Sequence, residues 1–335
     1  MIQQSERSTR IARLMCLVYT TICFMTFGVF STSATAEELS GDWSLKLKSE
    51  TPGWLSIRRT QNSPVVRMRL HVGPEGPYEN VQEKEGRLTF SLKRNKGVER
   101  TVDVGLKNGV LDGVVMSRSK DGETTRDPFT GSKIPPMPSS PPDLSKVRFG
   151  HPISLFNGKD LRGWRPHETD KIMGWSVKDG MLVNTTPKTD FSATGAYANL
   201  RTEDVFEDFW LHIEFLVGEG RNSGVYLRGM YEAQVVDRDS RMQGIQGVGA
   251  VFGKIPPSKN AGKPGGQWQT YDLTLVDRHI TVVLNGEKVI DNQPIDGPTG
   301  GAVFTNPAEP GPIHLQGDHT AVAYRNIYLA PVIKD

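Results

Sequence analysis

Phe209-Trp210-Leu211-His212-Ile213-Glu214-Phe215-Leu216-Val217 alternates without a break. Phe209, Leu211, Ile213, Phe215 and Val217 fall on one side of an extended chain, and Trp210, His212, Glu214 and Leu216 on the other. Nine residues at a period of two make a strand with one apolar face for a core. The pattern continues outward. Gly174-Lys178 and Met181-Asn184 flank an Asp179-Gly180 turn, and Asn222-Gly229 precedes Tyr231-Asp237. Gln269-Val276 forms a hairpin with Ile280-Leu284, which Asn285-Gly286 turns into Lys288-Asp291; Pro312-Gln316 and Ala321-Leu329 follow. So many strands with no alternating helix predict an all-β jelly-roll sandwich over residues 149–335.

Upstream, residues 37–133 read as short strands, among them Trp43-Leu47, Trp54-Arg58, Val65-Val72, Arg87-Leu92, Arg100-Val104 and Val110-Met116. Turn signals at Pro52-Gly53, Gly73-Pro74, Asn108-Gly109 and Asp121-Gly122 separate them, which predicts a small antiparallel β-barrel or sandwich acting as an accessory domain. Its charged residues scatter and form no chemical constellation. Between the two regions, residues 134–148 open with Ile134-Pro135-Pro136-Met137-Pro138-Ser139-Ser140-Pro141-Pro142, a composition that supplies few ladder donors and reads as a stiff linker.

At the front, Arg7, Arg10 and Arg13 precede an apolar stretch from Leu14 to Phe30 and the small-residue ending Ala34-Thr35-Ala36. This is the pattern of a signal peptide over residues 1–36, so the expectation is an exported, periplasmic or secreted bacterial protein with no stable membrane insertion after cleavage. The chain carries 40 Lys+Arg against 38 Asp+Glu; cleavage removes three arginines and Glu6 and leaves the mature charge near zero. That argues against a nucleic-acid or anionic-membrane partner, both of which want a basic surface. The two cysteines, Cys16 and Cys23, leave with the segment, so packing alone must hold the mature chain together. Nucleotide, dinucleotide, zincin and serine-hydrolase motifs are absent, and no nucleotide cofactor is expected.

Side-chain parity then sorts the polar groups. Val225 and Leu227 oppose Gly224, Tyr226 and Arg228; Tyr231, Ala233 and Val235 oppose Glu232 and Gln234; Tyr271, Leu273 and Leu275 oppose Asp272; Ile313 and Leu315 oppose His314 and Gln316. A curved face rich in His, Arg, Gln, Tyr and Trp suits a sugar, whose ring stacks on aromatics and whose hydroxyls take paired hydrogen bonds. The solvated face of an ordinary sandwich would also alternate.

Several stretches resemble the 3-keto-disaccharide hydrolase domain family. They are Leu155-Phe156-Asn157-Gly158-Lys159-Asp160-Leu161 with Gly163-Trp164, Asn222-Ser223-Gly224-Val225-Tyr226-Leu227-Arg228-Gly229, Tyr231-Glu232-Ala233-Gln234-Val235, Gly266-Gln267-Trp268-Gln269 and Leu315-Gln316-Gly317-Asp318-His319. The resemblance spans about residues 150–331 and implies a concanavalin-like sandwich acting on glycosides already oxidised at C3. A C3 ketone acidifies the C2 proton, so a base removes it, the C1 substituent leaves, and water adds back for net hydrolysis. On that logic the catalytic candidates are Glu214, Glu232, His319 and Arg228. The substrate-binding candidates are His212, Tyr226, Gln234, Asp272, His314 and Gln316. Glu232 and Gln234 also offer oxygen ligands to a divalent cation, Ca²⁺ or Mg²⁺, as the electrophile. Glu232 and Arg228 equally suit a cross-strand ion pair worth under about 1 kcal/mol. Gln269 stands where the family pattern has Asn, on the core side by parity.

Two functions fit: an enzyme cleaving 3-keto-glycosides, and a carbohydrate-binding module without turnover. They part on whether Glu214, Glu232 and His319 converge on one sugar-sized site. A retaining glycosidase fits less well, because the closely spaced E-x-D-x-E strand such enzymes resemble is missing.

Overall fold

The computed structural model describes residues 38–334 apart from 61–62, 72, 74, 79, 96–97 and 188–194. The signal-peptide reading of residues 1–36, with both cysteines, lies outside the described residues. Within them the protein is all-β: strands, loops and one 3₁₀ turn at Gly244–Gln246. None of their helices is long and apolar enough to cross a membrane.

The first eight strands are β1 (Gly41–Leu47), β2 (Pro52–Arg59), β3 (Pro64–Leu70), β4 (Gln82–Lys84), β5 (Arg87–Asn95), β6 (Val98–Lys107), β7 (Val110–Arg118) and β8 (Thr124–Ile134). They form one antiparallel sheet in the order β3-β2-β1-β8-β7-β6-β5-β4. With β1 paired to β8 the meander curls around its own core as an open barrel, and the segment after β3 folds back onto that strand through a bridge of Val66 with Tyr78 and a Met68 N–H to Glu75 C=O bond (3.0 Å). Alternation puts Trp43, Leu45, Leu55, Ile57, Phe90 and Val102 into a core of its own.

The remaining strands are β9 (Ile153–Ser154), β10 (Trp164–Pro166), β11 (Trp175–Lys178), β12 (Met181–Asn184), β13 (Leu200–Thr202), β14 (Phe209–Val217), β15 (Asn222–Leu227), β16 (Tyr231–Val236), β17 (Trp268–Val276), β18 (His279–Leu284), β19 (Glu287–Pro294), β20 (His314–Leu315) and β21 (Val322–Pro331). They build a jelly-roll sandwich. One sheet runs β10-β13-β20-β15-β16; the other runs β11-β12-β21-β14-β17-β18-β19, with β9 on β21. The alternating stretch is β14, and the five residues of its inner face, Phe209, Leu211, Ile213, Phe215 and Val217, are fully buried between the sheets. Val225, Leu227, Ala233, Val235 and Leu315 meet them from the five-stranded sheet.

The barrel is fastened against the sandwich. Glu75 accepts from Arg69 (2.6 Å) and from Lys254 of the sandwich (2.8 Å), and Arg67 pairs with both Glu75 and Asp296. Lys254 and Arg67 also lie against the buried Trp54 ring. The end of β3 therefore reaches the outer face of the five-stranded sheet: the Gly301 N–H donates to the His71 carbonyl (2.8 Å), and His71 Nδ1 lies 3.2 Å from the Ala302 carbonyl. The proline stretch after β8 is tied down as well, since Asn292 Nδ2 donates to the Pro142 carbonyl (2.9 Å) and Arg278 to that of Pro136.

Candidate active site on the five-stranded sheet

Directly opposed residues in antiparallel strands share a face. The register pairs Arg165 with Arg201, Arg201 with His314, His314 with Tyr226, and Tyr226 with Glu232. Those five residues form one row across all five strands of the sheet, on the side away from the core. Next to the row, Gly224 is paired with Gln234, and the Gln316 N–H donates to the Gly224 carbonyl (3.0 Å), so both glutamines flank the same patch.

Loops bury this face. Thr299 Oγ1 accepts the Glu232 N–H (3.0 Å), the Glu232 carbonyl accepts the Phe252 N–H (3.0 Å), and Gln234 Nε2 donates to the Gln246 carbonyl (3.1 Å). Glu232 is left 3 % exposed and His314 1 %. Glycine at 224 is required by contact: a Cβ there would come within 2.9 Å of both Cγ and Cδ of Glu232, so the carboxyl lies in the space a side chain would fill.

Burial sets the electrostatics. Desolvation pushes the Glu232 carboxyl up to about 8, against a hydrogen bond from Tyr226 that favours the anion and with nearby Asp318 adding to the rise. Tyr226 is raised well above the ordinary phenol range by burial and by Glu232. Its hydroxyl also meets the Gly300 carbonyl (2.9 Å), so its single proton goes to that carbonyl or to the carboxylate. Burial first, then His167, His71 and Arg201, hold His314 well below the ordinary imidazole range. His314 is neutral near pH 7, with His167 packed on its edge at 5.6 Å between centroids. His314 Nδ1, Gln234 Oε1 and Gln316 Oε1 are buried without a hydrogen-bond partner. Groups left this way cost free energy unless something fills them, and all three lie on this face.

The sequence candidates split. Tyr226, Glu232, Gln234, His314 and Gln316 come together here. His319 is near: it sits after β20, its Nδ1 2.6 Å from Asp318 Oδ1, and Asp318 in turn acts on Glu232 and Tyr226. His212, Glu214 and Asp272 do not join them, which corrects the expectation of one shared hollow. They lie on the outer face of the other sheet, where His212 Nδ1 meets Asp272 (2.9 Å) and Glu214 accepts from Arg325 and Asn326 (2.7 Å each). Convergence of Glu214 with Glu232 and His319 therefore fails. Parity assigned each side chain to a side of its strand and left open which sheet that strand joins.

Arg228 is a second correction. Its φ of 56° and Gly229's of 63° make the left-handed pair of a tight turn closed by Met230 N–H to Leu227 C=O (3.0 Å). The strand ends at Leu227, and the Arg228 guanidinium swings to the carbonyls of Pro307 (2.7 Å) and Glu309, where it holds a loop. No ion pair joins it to Glu232 among the described residues. Gln269 is fully buried and structural, its Oε1 accepting from the Lys263 backbone (2.8 Å) and Asn285 (3.1 Å). Sequence reasoning missed Asp318, His167, Arg201 and His71 as members of this patch. Of these, Asp318 alone carried a signal, through the Leu315-to-His319 stretch.

A divalent Ca²⁺ or Mg²⁺ takes about six or more oxygen ligands, ionised carboxylates among them. Glu232, protonated near neutral pH, and Gln234 give two oxygens, and no group of three His, Cys, Asp or Glu side chains able to hold a metal occurs among the described residues. These residues do not fit a divalent cation by themselves.

Fold and site together define a jelly-roll sandwich with a buried acid–base patch under a polar sheet face. Residues 151–330, just over half the chain, match the family described as the 3-keto-alpha-glucoside-1,2-lyase-like domain, and the protein belongs to that family. It is 24 % identical over 166 residues to a 3-keto-disaccharide hydrolase of Bacteroides thetaiotaomicron, a match covering 42 % of this chain and 57 % of that relative's length. Among solved structures it is similar to a putative glycosyl hydrolase from Parabacteroides distasonis (20 % identity, TM-score 0.45, 54 % of this chain and 94 % of that one). A Bacillus licheniformis β-glucanase is more distant (11 % identity, TM-score 0.32, 56 % and 98 %).

Proposed function

We propose that this protein cleaves glycosides whose sugar carries a ketone at C3, by removing the C2 proton, expelling the C1 substituent and adding water across the resulting double bond. The observation that carries this reading is Glu232: a buried carboxyl, raised to about 8, set over Gly224 beside Tyr226 and His314. A group whose pKa lies near the working pH moves a proton well in either direction. The Glu232 carboxylate takes the C2 proton as the C2 electrons move toward C1, and the C1 oxygen departs with a proton from the Asp318–His319 pair. On hydration water adds its hydroxyl at C1 and gives its other proton back to the Asp318–His319 pair, while the Glu232 proton returns to C2. Neutral His314 faces the C3 oxygen, where charge develops, the Tyr226 hydroxyl turns its one proton there once Glu232 has taken the C2 proton and no longer needs it, and the unpartnered amide oxygens of Gln234 and Gln316 accept from sugar hydroxyls. Membership of the family and the name of the Bacteroides relative support the substrate class.

The test is release of aglycone from 3-keto-trehalose or p-nitrophenyl 3-keto-α-glucoside, with and without EDTA. Glu232→Gln is expected to lower the rate by roughly a thousandfold while leaving the melting transition in place. A full rate in that variant removes Glu232 from the mechanism. Sugar binding without release by the unaltered protein moves the reading to a carbohydrate-binding module.

A further inference from the structure

The far end of the polar row holds more positive charge than the reaction needs. Arg165 and Arg201 face each other directly across β10 and β13, and like charges so placed repel. Neither has an ion pair among the described residues, and Arg201 Nε is buried without a hydrogen-bond partner. The Arg201 guanidinium is instead fixed over the Phe304 ring, 5.5 Å from its centroid. His167 stands beside them on the edge of His314, whose own Nδ1 is unpartnered, and the barrel brings His71 to the same place. The acid facing His167, Glu168, is already engaged by the Asn199 backbone (2.9 Å), its side chain (3.0 Å) and Lys171 (3.4 Å). Arg69, which faces Tyr226, is neutralised by Glu75.

We infer that this end of the row is a subsite for an anionic group on the part of the substrate beyond the oxidised ring. Two arginines held without an ion pair, one with a buried unpartnered Nε, are satisfied together by a carboxylate, sulfate or phosphate, which takes several charge-assisted hydrogen bonds at once. Position separates this role from stabilising the C3 oxygen. Strands lie about 4.8 Å apart, so the backbones of Arg201 and Arg165 stand about 14 and 19 Å of sheet from that of Glu232, beyond His314 in the row, and neither arginine is among the groups that shift the Glu232 carboxyl. The site thus selects glycosides with an acidic aglycone, and the barrel completes the subsite through His71. This inference rests on the proposed reading of the sheet face as the substrate site.

The test compares 3-keto-α-glucosides of phenol and of 4-hydroxybenzoate. The carboxylate-bearing substrate is expected to show a kcat/KM higher by roughly tenfold at low salt, a preference that shrinks as sodium chloride is raised. In Arg165→Gln, a change at an exposed position, and in Arg201→Gln the ratio falls toward one. Calorimetric titration with the two unoxidised glucosides reads the subsite without turnover. Carboxylate-dependent binding lost in Arg201→Gln, in a protein that cleaves neither substrate, upholds the subsite and overturns the activity. Absence of any carboxylate preference in both measurements, or a preference that survives both substitutions, overturns the subsite.

Discussion

The two sheets of the sandwich present outer faces that look alike in sequence and differ in physics. On the seven-strand path, His212 pairs with Asp272, Glu214 with Arg325 and Asn326, and Arg325 lies 4.0 Å over the Trp268 ring. The His212 and Asp272 side chains remain 24 % and 32 % exposed. Shifts there favour charge: the hydrogen bond to Asp272 raises His212, and for Glu214 the bonds from Asn326 and Arg325 together outweigh desolvation and lower it. On the five-stranded sheet the shifts of Glu232 and His314 run the other way, because loops and the barrel have removed the water. A face with its charges paired is a finished surface. A face holding a neutralised acid, a neutral imidazole and unpartnered amide oxygens is built for something that arrives.

The sharpest way to break this contrast, after Glu232 itself, is Gly224→Ala. The new methyl would come within 2.9 Å of Glu232 Cγ and Cδ and displace the carboxyl from its place over this residue. Expected are a fall in kcat of roughly a hundredfold from misplacement of the base and a loss of stability of about 1–3 kcal/mol from overpacking. Steady-state kinetics with a chemical melt checks both. Unaltered kcat would show that the carboxyl position on this glycine is irrelevant to turnover.

A smaller effect lies in the pH dependence of stability. Glu232 titrates near 4.5 unfolded and near 8 folded, so between these values the folded chain holds a proton that the unfolded chain has lost. Its contribution is complete below about pH 4.5, declines as pH rises, and is gone above about 8. His314, depressed by burial, acts oppositely and below its unfolded value of 6.5. The stability of the unaltered protein minus that of Glu232→Gln should therefore fall between pH 6.5 and 8, on the order of 1 kcal/mol per unit. Urea melts of the two proteins at several pH values check it; a flat difference means that Glu232 ionises freely in the fold.

Much of the architecture was legible because a two-residue period is local. Phe209 to Val217, the Asn285-Gly286 turn and the switch from Tyr226 to Glu232 across Arg228-Gly229 need no distant information. The site was legible only where the partners happened to share a sheet. Nothing in the alternation of β14 says that His212 will face Asp272, sixty residues on, while Tyr226 faces His314 in the other sheet. Arg228 failed for a local reason: parity runs only while the backbone is extended, and a left-handed φ resets it. His71 was invisible for the opposite reason, since its place beside His314 depends on a barrel docked from more than two hundred residues away.

The smallest expected effects belong to the face that the sequence grouped with the site. His212→Ala removes a partly exposed pair, worth at most about 1 kcal/mol. Because Asp272 raises the His212 pKa, the pair stabilises fully below the unfolded value of 6.5 and fades as pH rises through the folded value. The substitution should thus cost more at pH 5.5 than at pH 8.5, and Glu214→Gln should show the reverse tendency at lower pH, where its lowered carboxyl begins to protonate. Neither change should alter turnover by more than about threefold, since screened surface charges act weakly across a packed sandwich. Kinetics of both variants on one 3-keto substrate decides the matter. A tenfold loss in either would transfer the chemistry to the seven-strand path, where every charge named here already has a partner, and the unpartnered groups under the barrel would then need another occupant.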